Sequence, residues 1–321
     1  MTGKIYGTGS AVPDRVWDNN DLAGMVETSD QWIRERTGVV QRHIAKEDES
    51  TVTMAAEAAE KALEDADMKA EEIDLILVAT ISPEEIMPCV ACGVQKRIGA
   101  ENATCFDLNG ACTGSLLALN TAQAYLAQGI YRTALVIGAE KLSGLMDWTD
   151  RSTCILFGDG AGAVVLKAEE DGRYIQFTHS IGKKGEALSL HSRNQICYEN
   201  DPKAKDTYIQ MNGKEVFTFA VSKVPEAVKT LLSEEKISGE EIRYYLLHQA
   251  NERIIRSAAR RLGEDISKFP MNMDRYGNTS SASLLILLDE VKKSGKLQRG
   301  DKLVLAGFGG GLTYGASLIE Y

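Results

Sequence analysis

The sequence predicts an α/β fold made of two similar halves. Short apolar segments alternate with amphipathic helical segments, a pattern typical of βα units and largely parallel sheets. Similar segments also recur at a nearly constant offset of 168 or 169 residues, so that 71–78 resembles 240–247. We interpret this offset as an internal duplication about a pseudo-twofold axis. The predicted domains are residues 1–170 and residues 171–321, which meet at the polar turn 169–172.

Hydrophobic periodicity gives the individual elements. Short apolar runs bounded by turn residues predict strands, and apolar residues at helical spacing predict amphipathic helices. The predicted strands are 75–80, 134–138, 162–166, 244–247 and 303–306, and the predicted helices are 51–66, 114–127, 214–232, 252–262 and 281–293. The offset also pairs Cys112 with Ser280, so both should lie in strand-to-helix turns at the interface of the two halves.

Composition argues against several classes of protein. The chain carries 46 acidic and 36 basic residues, and its net charge of −10 disfavours general nucleic-acid binding. The apolar runs are shorter than the about 18 residues of a membrane span, and the N-terminus lacks the pattern of a signal peptide. We therefore expect a cytoplasmic protein whose six cysteines are reduced thiols.

A candidate nucleophile, Cys112, lies in the segment Asn-Gly-Ala-Cys-Thr-Gly-Ser at 109–115. Small residues on both sides allow a tight turn that leaves the thiol accessible. A helix is predicted to begin just after it, and the positive end of a helix dipole lowers a thiol pKa. Backbone N–H groups of such a turn can stabilise an oxyanion. Taken alone, the segment fits a buried structural cysteine equally well.

Three further segments hold residues suited to catalysis. His248 ends an apolar strand just before a helix, where ligands bind in parallel sheets, although a core or capping histidine would fit as well. Asn278 follows a glycine at a predicted helix start, where a plain N-cap is the simpler interpretation. The glycines at 309–311 can present N–H groups to a ligand, but the strand that follows them argues against dinucleotide binding.

Together, these segments resemble the β-ketoacyl-acyl-carrier-protein synthase III family of thiolase-fold enzymes over nearly the whole chain. The matching motifs are Ile-Tyr-Gly-Thr-Gly-Ser (5–10), Thr-Ser-Asp-Gln-Trp-Ile (28–33), Arg-Thr-Gly (36–38), Asp-Arg-Ser-Thr (150–153), Phe-Gly-Asp-Gly-Ala-Gly (157–162) and the C-terminal glycines. The resemblance implies a five-layer αβαβα fold. It also implies an acyltransferase that condenses an acyl-coenzyme A primer with malonyl-acyl-carrier protein, releasing carbon dioxide and initiating type II fatty-acid synthesis.

The resemblance assigns four catalytic positions. Cys112 is expected to carry the acyl group as a thioester, and the N–H groups of Cys112 and Gly310 to form an oxyanion hole. His248 and Asn278 are expected to stabilise the enolate formed from the malonyl group, because an imidazole N–H and a carboxamide NH₂ are two suitable donors. We expect no metal and no cofactor beyond the coenzyme A thioester that serves as substrate.

The resemblance also assigns contacts to coenzyme A and to the carrier protein. The nucleotide contacts are Trp32, Arg36, Thr37 and Arg151, since an indole can stack and guanidinium groups bind phosphate. A core tryptophan and solvated arginines are the alternatives. The carrier-protein contacts form a mostly basic set, suited to an acidic partner, that could instead be an ordinary solvated face. That set is Lys214, Gln249, Arg253, Arg256, Arg260 and Arg261.

Two departures from the family pattern concern residues 87–92. Met87 stands where relatives often have Phe, at a position that implies a homodimer because it reaches the acyl pocket of the partner subunit. Methionine is slimmer and more flexible than phenylalanine, so we expect room for longer or branched acyl primers as well as acetyl. Cys89 and Cys92 form a weak C-x-x-C pattern for which we expect no redox or zinc role. Alternatives to the condensing enzyme are a relative in secondary metabolism, making quinolones or joining acyl groups to alcohols, and a non-catalytic acyl-thioester binding protein.

Overall fold

The computed structural model describes residues 1–191 and 207–321. Within these ranges every predicted strand and helix is present, with ends shifted by at most three residues. In chain order the strands are β1 (Thr2–Ala11), β2 (Val16–Asp18), β3 (Gln41–His43), β4 (Leu75–Ala79), β5 (Thr104–Leu108), β6 (Thr133–Glu140), β7 (Gly160–Glu169), β8 (Tyr174–Ser180), β9 (Leu188–Ser189), β10 (Gln210–Met211), β11 (Ile242–Leu247), β12 (Lys302–Gly309) and β13 (Thr313–Glu320).

Helices connect the strands that run parallel. In chain order they are α1 (Asn19–Ala23), α2 (Asp30–Thr37), α3 (Thr51–Ala66), α4 (Val90–Ile98), α5 (Gly114–Ala127), α6 (Arg151–Cys154), α7 (Gly213–Glu234), α8 (Glu252–Leu262), α9 (Met273–Tyr276) and α10 (Ala282–Lys293). Across residues 1–191 and 207–321, every helix falls short of the length and apolar character that a bilayer span requires.

A five-stranded and a four-stranded sheet form the framework, and four strands of each follow the same order. The first has the order β5-β4-β6-β7-β1 and the second β11-β12-β13-β8. Strands joined through a helix are parallel, as β4 is to β5 and β6 and as β11 is to β12. The remaining pairs are antiparallel. For β12 and β13 the cause is the short turn that joins them. Strands β1 and β8 each form an outer edge of their sheet. The sheets are therefore mixed rather than largely parallel. The predicted division at residue 170 falls between β7 and β8.

The registers of the two sheets correct one predicted equivalence. Leu75 pairs with Ala134 in the first sheet, and Tyr244 pairs with Leu303 in the second, so both partners are shifted by 169 residues. The two non-glycine residues with positive φ in the turns before α5 and α10 obey the same offset: Ala111 at 46° and Ser280 at 48°. Ser280 is thus the counterpart of Ala111, and that of Cys112 is Ser281. The pairing of Cys112 with Ser280 is wrong by one residue.

Five layers result from where the helices pack. Helices α3 and α4 cover the outer face of the first sheet, α7 and α8 cover the outer face of the second, and α5 and α10 lie between the sheets. Strand side chains alternate accordingly. Leu75 and Leu77 of β4 join the central apolar cluster with α5 and α10, whereas Ile76 and Val78 join the outer cluster with α3. The predicted αβαβα fold is confirmed, and the two turns that begin α5 and α10 lie at the centre of the molecule.

The outer helix α3 approaches β1 closely because β1 presents glycines to it. A Cβ atom on Gly7 would lie 2.1 Å from the carbonyl oxygen of Ala62, and one on Gly9 would lie 2.2 Å from that of Ala58. Only hydrogen fits at these two positions, so the helix–strand spacing depends on them.

Replacing Gly9 with alanine should destabilise this helix–strand contact. The new methyl group would overlap a helix carbonyl, and overpacking of this kind costs about 1–3 kcal/mol of unfolding free energy. Chemical denaturation of G9A should show the loss. The matched control is G182A, where a Cβ would meet no described atom within 4 Å. Equal stability of the two variants would contradict the proposed constraint.

Candidate active site

A cleft of about 1370 Å³ lies between the two halves of the chain. Its lining includes Cys112, His248 and Asn278, which come from three separate connections: β5 to α5, β11 to α8, and α9 to α10. The turn that holds Ser280 therefore follows a helix, and its prediction as a strand-to-helix turn is wrong. The glycine turn at 309–311 forms part of the same wall. The structure therefore brings together the residues that the sequence singled out, although they are up to 199 positions apart between Cys112 and Gly311.

The turn that holds Cys112 fits tightly against β12. Cys112 is the middle residue of a single 3₁₀ turn (Ala111–Thr113) directly before α5. A Cβ on Gly309 would lie 2.8 Å from the Cys112 nitrogen, so only glycine allows this approach. The hydroxyl groups of Thr113 and Thr313 are 2.7 Å apart and join the turn to β13. The thiol thus stands between the N-terminus of α5 and the glycine turn.

The Cys112 thiol is protonated near neutral pH, which contradicts the prediction of a lowered pKa. Burial, opposed by the Ser280 hydroxyl and assisted by the nearby Glu140 carboxyl, raises its pKa to about 12. The cleft walls remove water that would solvate a thiolate, and this penalty outweighs the helix dipole, an effect commonly worth about 0.3–1 kcal/mol. A reaction at Cys112 therefore needs a destination for the thiol proton.

His248 is a neutral hydrogen-bond donor to the cleft. Its Nδ1 lies 2.7 Å from the Ser283 hydroxyl, and that hydroxyl accepts from the backbone N–H of Gln249 at 3.3 Å. The Ser283 proton is then directed at Nδ1, which leaves the imidazole proton on Nε2. Burial lowers the pKa of His248 to about 3, so the ring stays uncharged across the physiological range.

The amide of Asn278 is fixed by its own turn. Its Oδ1 accepts from the backbone N–H of Ser280 at 2.8 Å, which leaves the NH₂ group as the donor. The backbone of Asn278 bonds to Leu156 and Gly158 of the N-terminal half. Because α10 begins only at Ala282, Asn278 is not an N-cap of that helix, and the simpler interpretation of this residue is wrong.

The predicted nucleotide contacts lie together at the other end of the cleft. Trp32, Arg36 and Thr37 line it, and the guanidinium groups of Arg36 and Arg151 lie 4.6 and 4.9 Å from the Trp32 ring centroid. Arg151 stacks on the indole but does not line the cleft. Thr37 uses its hydroxyl to bond to Ile33 within α2. Two cations beside an aromatic ring suit a ligand with a base and phosphates.

A buried guanidinium, which no sequence pattern predicted, supports this cluster. Arg42 is fully buried and donates to the Asn19 side chain and to the carbonyl of Ile155, both at 2.9 Å. The Asn19 amide in turn donates to Asp30, the first residue of α2. Burial lowers the pKa of Arg42 to about 10, so it stays charged at neutral pH. It joins α2, which bears Trp32, to the end of α6.

Five of the six predicted carrier-protein contacts are exposed near the cleft mouth. Lys214 on α7 and Arg253 on α8 line the cleft. Three further exposed residues follow Arg253 on α8: Arg256, Arg260 and Arg261.

Gln249 does not belong to this surface, and its prediction as a partner contact is wrong. It is buried, its Nε2 donates to the Leu247 carbonyl at 2.7 Å, and its Oε1 accepts from the Asn272 N–H at 3.0 Å. Its amide positions the strand end that bears His248.

Ile86 lines the cleft, whereas Met87 and residues 88–92 do not. Met87 is 86% exposed, and Ile86 beside it is 71% exposed. The Cys89 and Cys92 sulfur atoms lie 3.5 Å apart as thiols. Within the described ranges, 1–191 and 207–321, no group of three or more His, Cys, Asp or Glu side chains could hold a metal ion.

The chain is similar in sequence to known proteins over nearly its whole length. The family described as 3-oxoacyl-[acyl-carrier-protein] synthase III matches residues 106–185, and its C-terminal counterpart matches residues 232–321. A β-ketoacyl-[acyl-carrier-protein] synthase III of Clostridium botulinum (strain 657 / Type Ba4) is 47% identical over 320 residues, which are 99% of this chain and 98% of that protein.

Solved structures show the same fold. The 3-oxoacyl-[acyl-carrier-protein] synthase III of Aquifex aeolicus VF5 superposes with a TM-score of 0.93 at 42% identity, covering 99% of this chain and 100% of that one. The priming β-ketosynthase of the R1128 polyketide pathway gives a TM-score of 0.95 at 33% identity, covering 100% and 96%. With nearly full coverage at this identity, the chain belongs to the 3-oxoacyl-[acyl-carrier-protein] synthase III family.

Proposed function

We propose that this protein is a condensing acyltransferase that joins an acyl-coenzyme A primer to malonyl-acyl-carrier protein. The products are a β-ketoacyl-carrier protein, coenzyme A and carbon dioxide, and the reaction initiates fatty-acid synthesis. The observation that supports it most is the convergence of Cys112, His248 and Asn278 on one cleft in a chain of this family. The three residues supply a nucleophile and two neutral donors, which are the groups that the two half-reactions need.

The first half-reaction places the acyl group on Cys112. The sulfur attacks the thioester carbonyl carbon of the primer, and negative charge develops on the carbonyl oxygen. The N–H groups of Cys112 and Gly310 are proposed to receive that oxygen, and the tight contact between their two turns supports this. The bond from the acyl carbon to the sulfur of coenzyme A breaks, the proton lost by Cys112 ends on that sulfur, and coenzyme A leaves as the thiol.

The second half-reaction forms the carbon–carbon bond. Loss of carbon dioxide from the malonyl group leaves an enolate with charge on its thioester oxygen. The Nε2–H of His248 and the NH₂ of Asn278 stabilise this charge, and neither group must be protonated or deprotonated first. The enolate carbon attacks the acyl group on Cys112, and the Cys112 thiolate is released. His248 here acts as a donor, which suits a ring whose pKa is held near 3 by burial.

Both substrates are proposed to reach the cleft where α2 contacts the start of α8, since the Asn251 amide donates to the Arg36 carbonyl at 2.9 Å. Trp32 with Arg36 and Arg151 is proposed to hold the nucleotide of coenzyme A, and the exposed basic residues of α8 are proposed to dock the carrier protein. The exposed Ile86–Met87 segment is proposed to enter the partner subunit of a homodimer.

A second candidate is the priming condensation of a secondary pathway. The specific observation is the TM-score of 0.95 to the R1128 priming β-ketosynthase. The two candidates share their chemistry and differ in primer and carrier protein. Incubation with acyl-coenzyme A primers of several lengths and with carrier proteins of each pathway distinguishes them.

Substituting Cys112 and Asn278 should separate the two half-reactions. With radiolabelled acyl-coenzyme A, C112A should accumulate no covalent label. N278A should be labelled normally but lose condensation by about 10²–10³-fold, the cost of one charge-stabilising donor. Label on C112A would refute the assigned nucleophile, and loss of acylation alone in N278A would reverse the assigned roles.

Removing the Ser283 hydroxyl should impair condensation selectively. In S283A the Nδ1 of His248 loses its donor, so the tautomer with a proton on Nε2 is no longer favoured. A hydrogen bond of about 1.4 kcal/mol corresponds to roughly a tenfold lower condensation rate. Acylation of Cys112 should be unchanged. The matched control is S294A, at the far end of α10. An equal effect on both half-reactions would contradict the assignment.

Reversing the charge of α8 should weaken carrier-protein binding. The R253E/R260E variant should raise the KM for malonyl-acyl-carrier protein by about tenfold, with a smaller effect at high salt and little change in the KM for the primer. A K61E/K96E variant carries the same change in net charge on α3 and α4, and serves as control. Equal KM values for the two variants would remove the proposed docking surface.

A further inference from the structure

Glu290 is a partly buried carboxylate of α10 that no sequence motif singled out. Its side chain is 24% exposed and accepts four hydrogen bonds from the segment that leads to Asn278. The Asn272 amide donates to its Oε2 at 2.9 Å, and the Arg275 guanidinium donates to both oxygens at 2.7 and 2.9 Å. The Tyr276 hydroxyl donates to its Oε1 at 2.8 Å. One carboxylate thus fastens α9 from the residue before it to its last residue.

The fastened segment leads directly to Asn278. Tyr276 stands two residues before it, with only Gly277 between them. Burial raises the pKa of Tyr276 to about 12, so its hydroxyl stays protonated and donates to Glu290. Asparagine is a common N-cap, but the side chain of Asn272 makes no cap hydrogen bond to α9 and binds Glu290 instead. Glu290 is therefore an anchor for the backbone that presents Asn278.

His248 is connected to the same carboxylate through Gln249. The Gln249 Nε2 donates to the Leu247 carbonyl at 2.7 Å, and its Oε1 accepts from the backbone N–H of Asn272 at 3.0 Å. Both amide side chains are buried, with Gln249 1% and Asn272 2% exposed. Asn272 thus has two partners: its backbone binds the strand end that bears His248, and its side chain binds Glu290.

A second connection between His248 and Glu290 runs along α10. Ser283, whose hydroxyl lies 2.7 Å from the Nδ1 of His248, precedes Glu290 by seven residues on this helix. Seven residues are about two helical turns, so both side chains lie on one side of α10. The contacts form a closed circuit in the order His248, Ser283, Glu290, Asn272 and Gln249. Such a network restricts its members to one arrangement when every polar group in it is bonded.

We propose that Glu290 is a positioning residue for condensation, which holds the His248 and Asn278 donors at the spacing that the enolate oxygen requires. The proposal rests on the function proposed above. In the part of the chain that the structure describes, Glu290 does not line the cleft, so it acts through its partners rather than on the substrate.

The effect of Glu290 should be confined to the second half-reaction. Acylation uses Cys112, whose turn is held by the close approach of Gly309 and by the contact between Thr113 and Thr313. None of these groups belongs to the circuit. Condensation needs two donors on one oxygen, so it depends on their separation. A displacement of about 1 Å in a reacting group can cost about 10²-fold in rate.

The buried contact of Glu290, rather than its ion pair, makes it suited to this role. The side chain of Arg275 is 50% exposed, and an ion pair this exposed contributes little to stability. Asn272 is 2% exposed, and a buried amide left without its acceptor is costly. The contact between Asn272 and Glu290 is therefore the one whose loss should move the donors.

The test measures the two half-reactions separately in single turnovers. Acylation is followed with radiolabelled acyl-coenzyme A, and condensation with enzyme that is already acylated and malonyl-acyl-carrier protein. E290A should condense about tenfold more slowly, because its donors are displaced. Its acylation rate and its KM for malonyl-acyl-carrier protein should stay within about twofold of the wild-type values. A variant that acylates normally is folded, so the loss would not reflect general damage.

Exchanging the donor and the acceptor tests the contact itself. N272D places a second carboxylate against Glu290 and should also slow condensation by about tenfold. In N272D/E290Q the glutamine NH₂ can donate to the new carboxylate, so the condensation rate should return to within about threefold of the wild type. Recovery of this kind requires the two side chains to act on the reaction through each other.

The matched control is E241A, at the opposite end of β11 from His248. Glu241 also pairs with a cation, Lys302, and its loss should leave both half-reactions unchanged. The positioning role would be overturned by E290A that condenses at the wild-type rate, by equal losses in both half-reactions, or by N272D/E290Q no faster than N272D. If the wild type itself formed no β-ketoacyl product, the proposed function would fail instead.

Discussion

The architecture depends on burying two helices, α5 and α10, between two sheets. Each helix begins at a tight turn in which one residue takes the left-handed conformation: Ala111 before α5 and Ser280 before α10. Because both turns are forced into the centre of the molecule, the residues beside them, Cys112 and Asn278, meet across the interface of the halves. The site is therefore a consequence of the layering.

Burial also sets the charge state of the site. A water-poor cleft disfavours ionisation, so it keeps the His248 ring neutral and the Cys112 thiol protonated. The first effect serves enolate stabilisation, where a neutral donor is sufficient. The second is an obstacle to nucleophilic attack, because a thiolate is the reactive form. The same environment thus helps one half-reaction and hinders the other.

Polar groups far from the reacting atoms hold the geometry. Ser283 orients the His248 ring, Gln249 fastens the strand end that bears it, and Arg42 joins the helices beside the nucleotide cluster. Each of these side chains is buried and bonded to groups distant in sequence. Burying a polar side chain costs free energy unless its partners are present, so these networks constrain the site to one arrangement.

Hydrophobic periodicity alone predicted the order and extent of the main helices and strands, because each element must bury one face whatever its neighbours are. The duplication and the motif around Cys112 were also visible in the sequence. The one-residue correction to the offset, the burial of Gln249 and the raised pKa of Cys112 were not. Each depends on which distant segments surround a side chain, and a linear pattern does not contain that distance.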